Sequence, residues 1–182
     1  MKSMKGLLSV DDCVLVVIDI QEKLMPVIHQ ADLVFSNTQK LIDGFTILQT
    51  PIVATEQYPK GLGKTCSEIV LPEQTTIIEK TSFSCLGEDL FHPMVKQKRS
   101  LVLCGVETHI CVLKTALDAV RAGFEIHVVT DATSSRNAGN KEMALVRMQQ
   151  SGIFMTTMES VLFQLMDCAG TDQFKAISRL IK

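Results

Sequence analysis

Cys13–Ile18, with the sequence CVLVVI, decides the fold, and Asp19 follows it directly. The six residues are continuously apolar and rich in β-branched side chains. This pattern is typical of a strand that is buried on both faces of a sheet. Strands of this kind occur almost only in parallel sheets whose two faces are covered by helices. The stretch therefore predicts a central strand of an α/β domain, with Asp19 at its carboxyl end.

Segments with the spacing of strands and of helices alternate through the rest of the chain. Short apolar runs predict five further strands, at residues 52–54, 75–79, 100–104, 125–130 and 153–155. Helical spacing predicts helices at residues 31–49, 88–97, 108–122, 141–150 and 159–182, the last with a break near Gly170. Turn-forming residues dominate TEQYPKGLG, residues 55–63, which predicts a loop there.

This alternation predicts a Rossmann-like, three-layer αβα sandwich formed by one domain over residues 1–182. We expect a six-stranded parallel sheet with the strand order 3-2-1-4-5-6. Strands one and four are then neighbours where the order reverses. Ligands of such sheets bind beyond the carboxyl ends of the strands at this point. The chemistry is therefore expected in the residues that directly follow strands.

The composition argues against several classes of protein. The formal net charge is −2 and the chain has no large basic cluster, so nucleic-acid binding is not expected. No apolar stretch approaches the roughly 20 residues of a membrane span, and Asp11 and Asp12 interrupt the N-terminal region too early for a signal peptide. The six cysteines form no C-x-x-C pair, which favours reduced thiols in a cytoplasmic protein.

Three reactive side chains come directly after predicted strands. Asp19 ends the first strand, Lys80 ends the third, and Cys111 lies in the first turn of the helix after the fourth. A helix N-terminus and a lysine both favour a thiolate, and an aspartate can take the thiol proton. Backbone N–H groups of residues 105–111 could hold an oxyanion. Each residue alone has an ordinary structural explanation, but the three together predict acyl transfer through a thioester.

Four segments carry a resemblance to a known family: VVIDIQ (16–21), EKTSFS (79–84), LCGVETHICV (103–112) and VTDATSSR (129–136). The chain resembles the isochorismatase-like (cysteine hydrolase) superfamily over essentially its whole length. The resemblance implies a catalytic triad of Asp19, Lys80 and Cys111. It also implies a cis peptide at Val106 and Glu107, which would turn backbone N–H groups, including that of Cys111, toward the substrate oxygen.

The segment at residues 55–63 is similar to the isochorismatase domain-containing subgroup. True isochorismatases lack the nucleophilic cysteine and hydrolyse a vinyl ether, so Cys111 disfavours that activity. Nicotinamidases bind a metal through an Asp-x-His pair after the second strand, and residues 55–58 contain no histidine. The resemblance therefore implies no metal and no cofactor. We expect a metal-independent cysteine hydrolase that cleaves a C–N bond of a small amide or ureide.

The substrate pocket is expected to include Gln21, Leu24, Tyr58 and Phe83, although core or interface packing explains these residues equally well. The chain has nine methionines and an apolar segment at residues 153–166, which suggest a subunit interface and a homo-oligomer. A small molecule is the expected partner.

Several alternatives remain open at this stage. His109 could serve as the base for Cys111, and Cys85 could be its resolving thiol. Arg136 could bind a substrate carboxylate or pair across a subunit interface. The whole chain could also be a weakly catalytic or non-catalytic oligomeric binding scaffold, or a thiol-based redox protein.

Overall fold

The central strand of the sheet is Cys13–Ile18, as its sequence predicts. The computed structural model describes residues 5–182. The six strands are β1 (Cys13–Ile18), β2 (Ile52–Gln57), β3 (Thr76–Lys80), β4 (Ser100–Val106), β5 (Glu125–Ser134) and β6 (Phe154–Thr156). All pair in parallel, in the predicted order β3-β2-β1-β4-β5-β6. The fold class is therefore confirmed.

Seven α-helices connect or follow the strands in the described residues. They are α1 (Ala31–Ile47), α2 (Pro59–Leu62), α3 (Phe91–Val95), α4 (Leu113–Arg121), α5 (Ala138–Gln150), α6 (Met158–Gln164) and α7 (Asp172–Leu180). Short 3₁₀ turns lie at Met25–Val27 and Cys85–Gly87, and a π-helical turn, Thr108–Val112, precedes α4. Nowhere in residues 5–182 is a helix long and apolar enough to cross a membrane.

The side chains of β1 alternate between two hydrophobic cores, one on each face of the sheet. Leu15 belongs to the core that also contains Phe45 of α1 and Ile177 of α7. Val16 belongs to the core on the other face, together with Met148 of α5. Successive side chains of a strand point to opposite faces, so a continuous apolar run fills both cores at once. The structure thus has the three layers that the sequence predicts.

Three strands extend two or more residues beyond their predicted ends, and the extensions form the edge of the sheet where the reactive residues lie. β2 continues through Thr55 to Gln57, which the sequence assigns to a loop. β4 continues past Gly105, which has a φ of +107° and whose Cβ, if present, would lie 2.0 Å from the Ile18 oxygen. Glycine permits this close approach and does not end the strand. β5 continues to Ser134. Polar residues and glycines at buried strand ends therefore resemble the residues of turns, and the sequence predicts strands that are too short.

The apolar segment at residues 153–166 is buried by the chain itself. Val161 and Leu162 are fully buried in the core that contains α1. A Cβ added to Gly44 of α1 would lie 2.4 Å from Leu162, so α1 and α6 are in close contact. The core therefore accounts for much of the apolar character of this segment, whereas Phe163 remains 38% exposed, and a subunit interface here stays a prediction. The predicted break at Gly170 is present, between α6 and α7.

Candidate active site

The carboxyl edge of the sheet brings Asp19, Lys80 and Cys111 into one buried cluster. Lys80 Nζ lies 2.7 Å from Asp19 Oδ2 and 2.6 Å from Gln57 Oε1. The Cys111 thiol faces the same Gln57 oxygen, with an Sγ–Oε1 distance of 3.9 Å. The exposed fraction is 0% for Asp19, 2% for Lys80 and 6% for Cys111. Asp19 and Lys80 lie at or just beyond the ends of β1 and β3, while Cys111 is in the π-helical turn after β4.

The Asp19 carboxylate is held by groups from two neighbouring strands. Thr55 Oγ1, on β2, donates a 2.7 Å hydrogen bond to Asp19 Oδ1, while Lys80 from β3 pairs with Oδ2. Asp19 adopts a φ of +52°, a left-handed conformation that aspartate tolerates better than most residues. Both carboxylate oxygens therefore have fixed partners, and the carboxylate has one orientation relative to the thiol. The sequence does not reveal Thr55, because it lies in the part of β2 that reads as a loop.

The Lys80 ammonium stays charged despite its burial. Burial lowers the pKa of Lys80, but the negative charge of Asp19 and the contact with its carboxylate raise it, and the pKa lies above its ordinary value. It forms an ion pair with Asp19 Oδ2 and donates hydrogen bonds to Gln57 Oε1 and, at 3.3 Å, to the Ser82 carbonyl oxygen. A buried ion pair with this many partners avoids much of the cost of an unpaired charge.

Cys111 is a neutral thiol in this environment. Burial raises its pKa to about 12, the Asp19 charge acts in the same direction, and Lys80 opposes both. The Lys80 charge, which by itself favours a thiolate, is therefore outweighed by burial and by the Asp19 charge. Cys111 lies in the π-helical turn that runs directly into α4, which begins at Leu113. Turns of this kind occur frequently at functional sites.

The turn that leads to Cys111 is anchored to the segment after β5. The Val106–Glu107 peptide bond is cis. The Glu107 carboxylate accepts a 2.9 Å hydrogen bond from the Arg136 backbone N–H, and Arg136 Nε lies 3.3 Å from the same oxygen. Thr133 Oγ1 donates to the Gly105 carbonyl at 2.7 Å. Arg136 therefore has an intramolecular partner and helps to hold the turn, a role that neither sequence interpretation included.

The predicted pocket residues lie in different surroundings. Gln21 is fully buried: its Nε2 donates to the carbonyls of Gln57 and Gly63, and its Oε1 accepts from the Gln57 N–H, so it braces strand ends instead of facing an open pocket. Leu24 is half-buried against a core. Tyr58 and Phe83 are 55% and 60% exposed.

Tyr58 and Lys80 line one cavity of about 300 Å³. The remaining lining residues are Pro59, Lys60, Glu79, Thr81 and Glu88. The cavity opens beside the edge strand β3, and of the cluster residues Lys80 lines it while Asp19 and Cys111 do not. Of the predicted pocket residues, Tyr58 is the one that the structure places at this opening.

Two alternatives for the chemistry of Cys111 find no support in the contacts of their residues. The two ring nitrogens of His109 face Ser135 Oγ at 2.9 Å and Asn140 Nδ2 at 3.5 Å, so His109 is engaged with the segment after β5. Cys85 is fully buried, and burial raises the pKa of its thiol to about 11. A thiol with that pKa is a poor resolving group.

No group of three or more His, Cys, Asp or Glu side chains in residues 5–182 is arranged to hold a metal ion. The acidic and thiol side chains of the cluster are instead paired with Lys80, Thr55 and Gln57.

Comparisons with known proteins agree with this architecture. The family model of the isochorismatase domain matches residues 13–160. "Isochorismatase domain-containing protein 1" of Danio rerio is 43% identical over 166 residues, which cover 90% of this chain, and the chain spans only 59% of that protein's length. "Isochorismatase domain-containing protein 2" of Danio rerio is 40% identical over 178 residues, with 97% of this chain and 90% of that protein covered.

Among solved structures, the MAR1 ribonuclease of Caenorhabditis elegans superimposes with a TM-score of 0.93 at 35% identity, covering 97% of this chain and 92% of the other. The sequence relatives and the fold lead to the same conclusion. The chain belongs to the isochorismatase family and shares its hydrolase fold.

Proposed function

We propose that the protein is a cysteine hydrolase that cleaves a C–N bond of a small amide or ureide through a thioester at Cys111. The observation that carries the proposal is the buried cluster in which Lys80 joins Asp19 and Gln57, with Gln57 in contact with the Cys111 thiol. A buried nucleophile beside a fixed carboxylate and a fixed ammonium is an arrangement suited to covalent catalysis. Membership of a hydrolase family supports the reaction class.

Acylation begins with attack of Cys111 Sγ on the substrate carbonyl carbon. Because the resting thiol has a pKa of about 12, its proton must leave as the attack proceeds. Asp19, whose negative charge lies close enough to raise the pKa of the thiol, takes this proton when the substrate is attacked. It then gives the proton to the leaving nitrogen as the C–N bond breaks. The products of this step are a free amine or ammonia and a thioester on Cys111.

Hydrolysis of the thioester reverses the roles of the same groups. A water molecule gives a proton to Asp19 and attacks the thioester carbon. The C–S bond then breaks, and the proton returns to the sulfur, so that Cys111 is again a neutral thiol and the acid product leaves. Lys80 stays protonated throughout and orients Asp19. We assign the oxyanion of both steps to backbone N–H groups of the turn that contains Val106, Glu107 and Cys111.

The substrate is proposed to be small because the cluster is enclosed. Cys111 is 6% exposed, and the neighbouring cavity of about 300 Å³ would accommodate a compact molecule. Tyr58 would contact the substrate directly. Leu24 and Phe83 would contribute apolar surface when the segments that carry them, after β1 and after β3, close over the substrate. The exposed Tyr58 and Phe83 side chains also suit burial in a homo-oligomer. Metal independence, the absence of a cofactor and a cytoplasmic location remain parts of this proposal.

The test is turnover of a panel of small primary amides and ureides, followed by release of ammonia. We expect activity that survives a chelator, is lost in Cys111→Ala, and leaves an acyl adduct on the Cys111 peptide that mass spectrometry detects after acid quench. Activity that persists in Cys111→Ala, or that disappears on chelation and returns with a metal, would contradict the mechanism. Failure of every substrate, with Cys111 inert to acylating reagents, would favour the scaffold interpretation.

A second candidate function is ribonuclease activity, because a solved relative at 35% identity is described as a ribonuclease. The enclosed cluster and the carboxylates of Glu79 and Glu88 beside the cavity are unfavourable to a polyanion. Cleavage of labelled RNA by the wild-type protein, compared with Lys80→Met and Cys111→Ala, decides the point. RNA cleavage that is lost in both variants would establish this activity at the same site.

A further inference from the structure

Gln57 accepts a short hydrogen bond from the Lys80 ammonium. An ammonium group has three N–H donors and no acceptor. The three partners of Lys80 Nζ are Asp19 Oδ2 at 2.7 Å, Gln57 Oε1 at 2.6 Å and the Ser82 carbonyl oxygen at 3.3 Å. Gln57 and Ser82 each accept one hydrogen bond from the ammonium, and Asp19 holds it in an ion pair, so these oxygens compete with a thiolate at Cys111 for Lys80.

The Gln57 side chain is fixed in this position from both ends. Its Nε2 donates to the Thr81 carbonyl at 2.9 Å, which aims the amide oxygen back into the cluster. Its backbone N–H donates to Gln21 Oε1 at 2.7 Å. Gln57 also lies directly opposite Lys80 in the register of β2 and β3. The amide oxygen is therefore a permanent member of the cluster, and its orientation does not depend on a ligand.

The same oxygen faces the Cys111 thiol, with an Sγ–Oε1 distance of 3.9 Å. An amide oxygen accepts hydrogen bonds and cannot donate one, so this contact is favourable only while the sulfur carries its proton. Three other ionisable groups surround the sulfur. Asp19 and Cys85 disfavour a negative charge on it, and Lys80 favours one. Gln57 thus adds to the groups that oppose the thiolate. It also accepts a hydrogen bond from a Lys80 N–H that would otherwise stabilise the thiolate.

We propose that Gln57 is a positioning residue that keeps Cys111 a neutral thiol in the resting site. It does so by accepting the thiol hydrogen and by taking a Lys80 N–H that would otherwise stabilise the thiolate. The inference rests on the proposed role of Cys111 as the nucleophile. Its consequence is selective reactivity: the sulfur resists stray electrophiles and oxidants, and it attacks only a substrate placed so that Asp19 can take the proton.

The test is the pH profile of iodoacetamide labelling at Cys111, resolved by mass spectrometry, in the wild type, Gln57→Leu and Gln57→Glu. Leu removes the acceptor and frees a Lys80 N–H, so labelling near neutral pH should rise about tenfold, equivalent to a Cys111 pKa about one unit lower. Glu keeps the acceptor and adds a negative charge, so labelling should slow and the profile should move to higher pH. Labelling of Cys66 in the same samples reports any general loosening of the fold.

The opposite shifts of the two variants separate this role from a merely structural one. A structural role would let both variants label faster, at Cys66 as well as at Cys111, and that result would overturn the inference. So would an unchanged or higher pKa in Gln57→Leu. If Gln57→Leu does not fold, Gln57→Met carries the same expectation with a side chain of similar length.

The proposed function fails in a different experiment. If Cys111→Ala retains full turnover, the hydrolase mechanism is wrong whatever the Gln57 variants show. If turnover requires Cys111 and Asp19 while both Gln57 variants shift the labelling profile in the same direction, the hydrolase stands and the Gln57 inference falls.

Discussion

Two thiols near β4, Cys104 and Cys111, have nearly the same resting pKa in different surroundings. Burial raises the pKa of each to about 12. Cys104 contacts the Val16 carbonyl at 3.7 Å inside the core, whereas Cys111 faces Gln57, with Asp19 and Lys80 beside it. Burial therefore sets how rarely each sulfur ionises at rest. Only the second sulfur has a neighbouring base that can take its proton during a reaction.

The largest expected effect comes from replacing each of the two thiols with alanine. Cys111→Ala should lower kcat/KM by at least about 1,000-fold, because it removes the nucleophile on which both chemical steps depend. Cys104→Ala should leave kcat/KM unchanged and cost about 1 kcal/mol of stability, since it deletes one buried sulfur from a packed core. Turnover of a small amide and urea-induced unfolding measure the two quantities in both variants. Equal losses of turnover in the two would mean that the surroundings of Cys111 confer no special reactivity.

The ion pair beside Cys111 should matter for stability as well as for activity. Lys80→Met leaves the Asp19 carboxylate buried without its cation, and breaking a buried pair in this way costs about 3–5 kcal/mol. Lys114→Ala, which breaks the solvent-exposed pair with Asp118 on α4, is the matched control and should cost under about 1 kcal/mol. Denaturant unfolding gives both values. Similar losses in the two variants would show that the cluster is more hydrated than its burial indicates.

The strands and the reactive residues at their ends could be predicted because the signals are local. A continuous apolar run such as that of β1 requires two covered faces, and Asp19 and Lys80 follow such runs in the sequence. Gln57 and Thr55 could not be found in this way. Their roles arise from the pairing of β2 with β1 and β3, which places Gln57 opposite Lys80 and Thr55 opposite Ile18.

The questions that the sequence left open have the same non-local origin. The apolar residues at 153–166 need a partner surface, but nothing in their spacing tells whether that surface is α1 or a second subunit. The balance between thiol and thiolate at Cys111 depends on the burial and on the charges of Asp19 and Lys80 that the fold brings around the sulfur, and no local pattern gives their sum.

Cys85 is a third buried thiol, and it allows the same comparison within the active site itself. Cys85 lies near Asp19 and Lys80, and its pKa is raised to about 11 by burial and by the Asp19 charge. Because disulfide formation needs a thiolate, mild peroxide treatment should produce no Cys85–Cys111 disulfide within the time of an assay. Cys85→Ser should keep turnover within about threefold of the wild type, since Cys85 donates no group to the mechanism. Rapid formation of the disulfide, detected by non-reducing peptide mapping, would favour the redox interpretation.

The smallest expected effect concerns the loop that follows Lys80, which lies over the cluster. Glu88 Oε1 accepts hydrogen bonds from the Thr81 N–H and from the N–H and hydroxyl of Ser82. These bonds lower the pKa of Glu88 from its ordinary value of 4.5, and the bond from the Ser82 hydroxyl has the largest effect. Because the folded pKa is the lower one, this carboxylate stabilises the protein above about pH 4.5. Its contribution should disappear as the pH falls through the folded pKa.

Glu88→Gln should therefore lower the free energy of unfolding at neutral pH by under about 1 kcal/mol, since the group is only partly shielded from water. The difference between the variant and the wild type should shrink as the solution is acidified below pH 4.5, where the wild-type carboxylate also becomes protonated. Urea unfolding at a series of pH values measures this difference. A gap that stays constant with pH would mean that the loop is held by packing alone, and that Glu88 does not share in fixing the Ser82 carbonyl that faces Lys80.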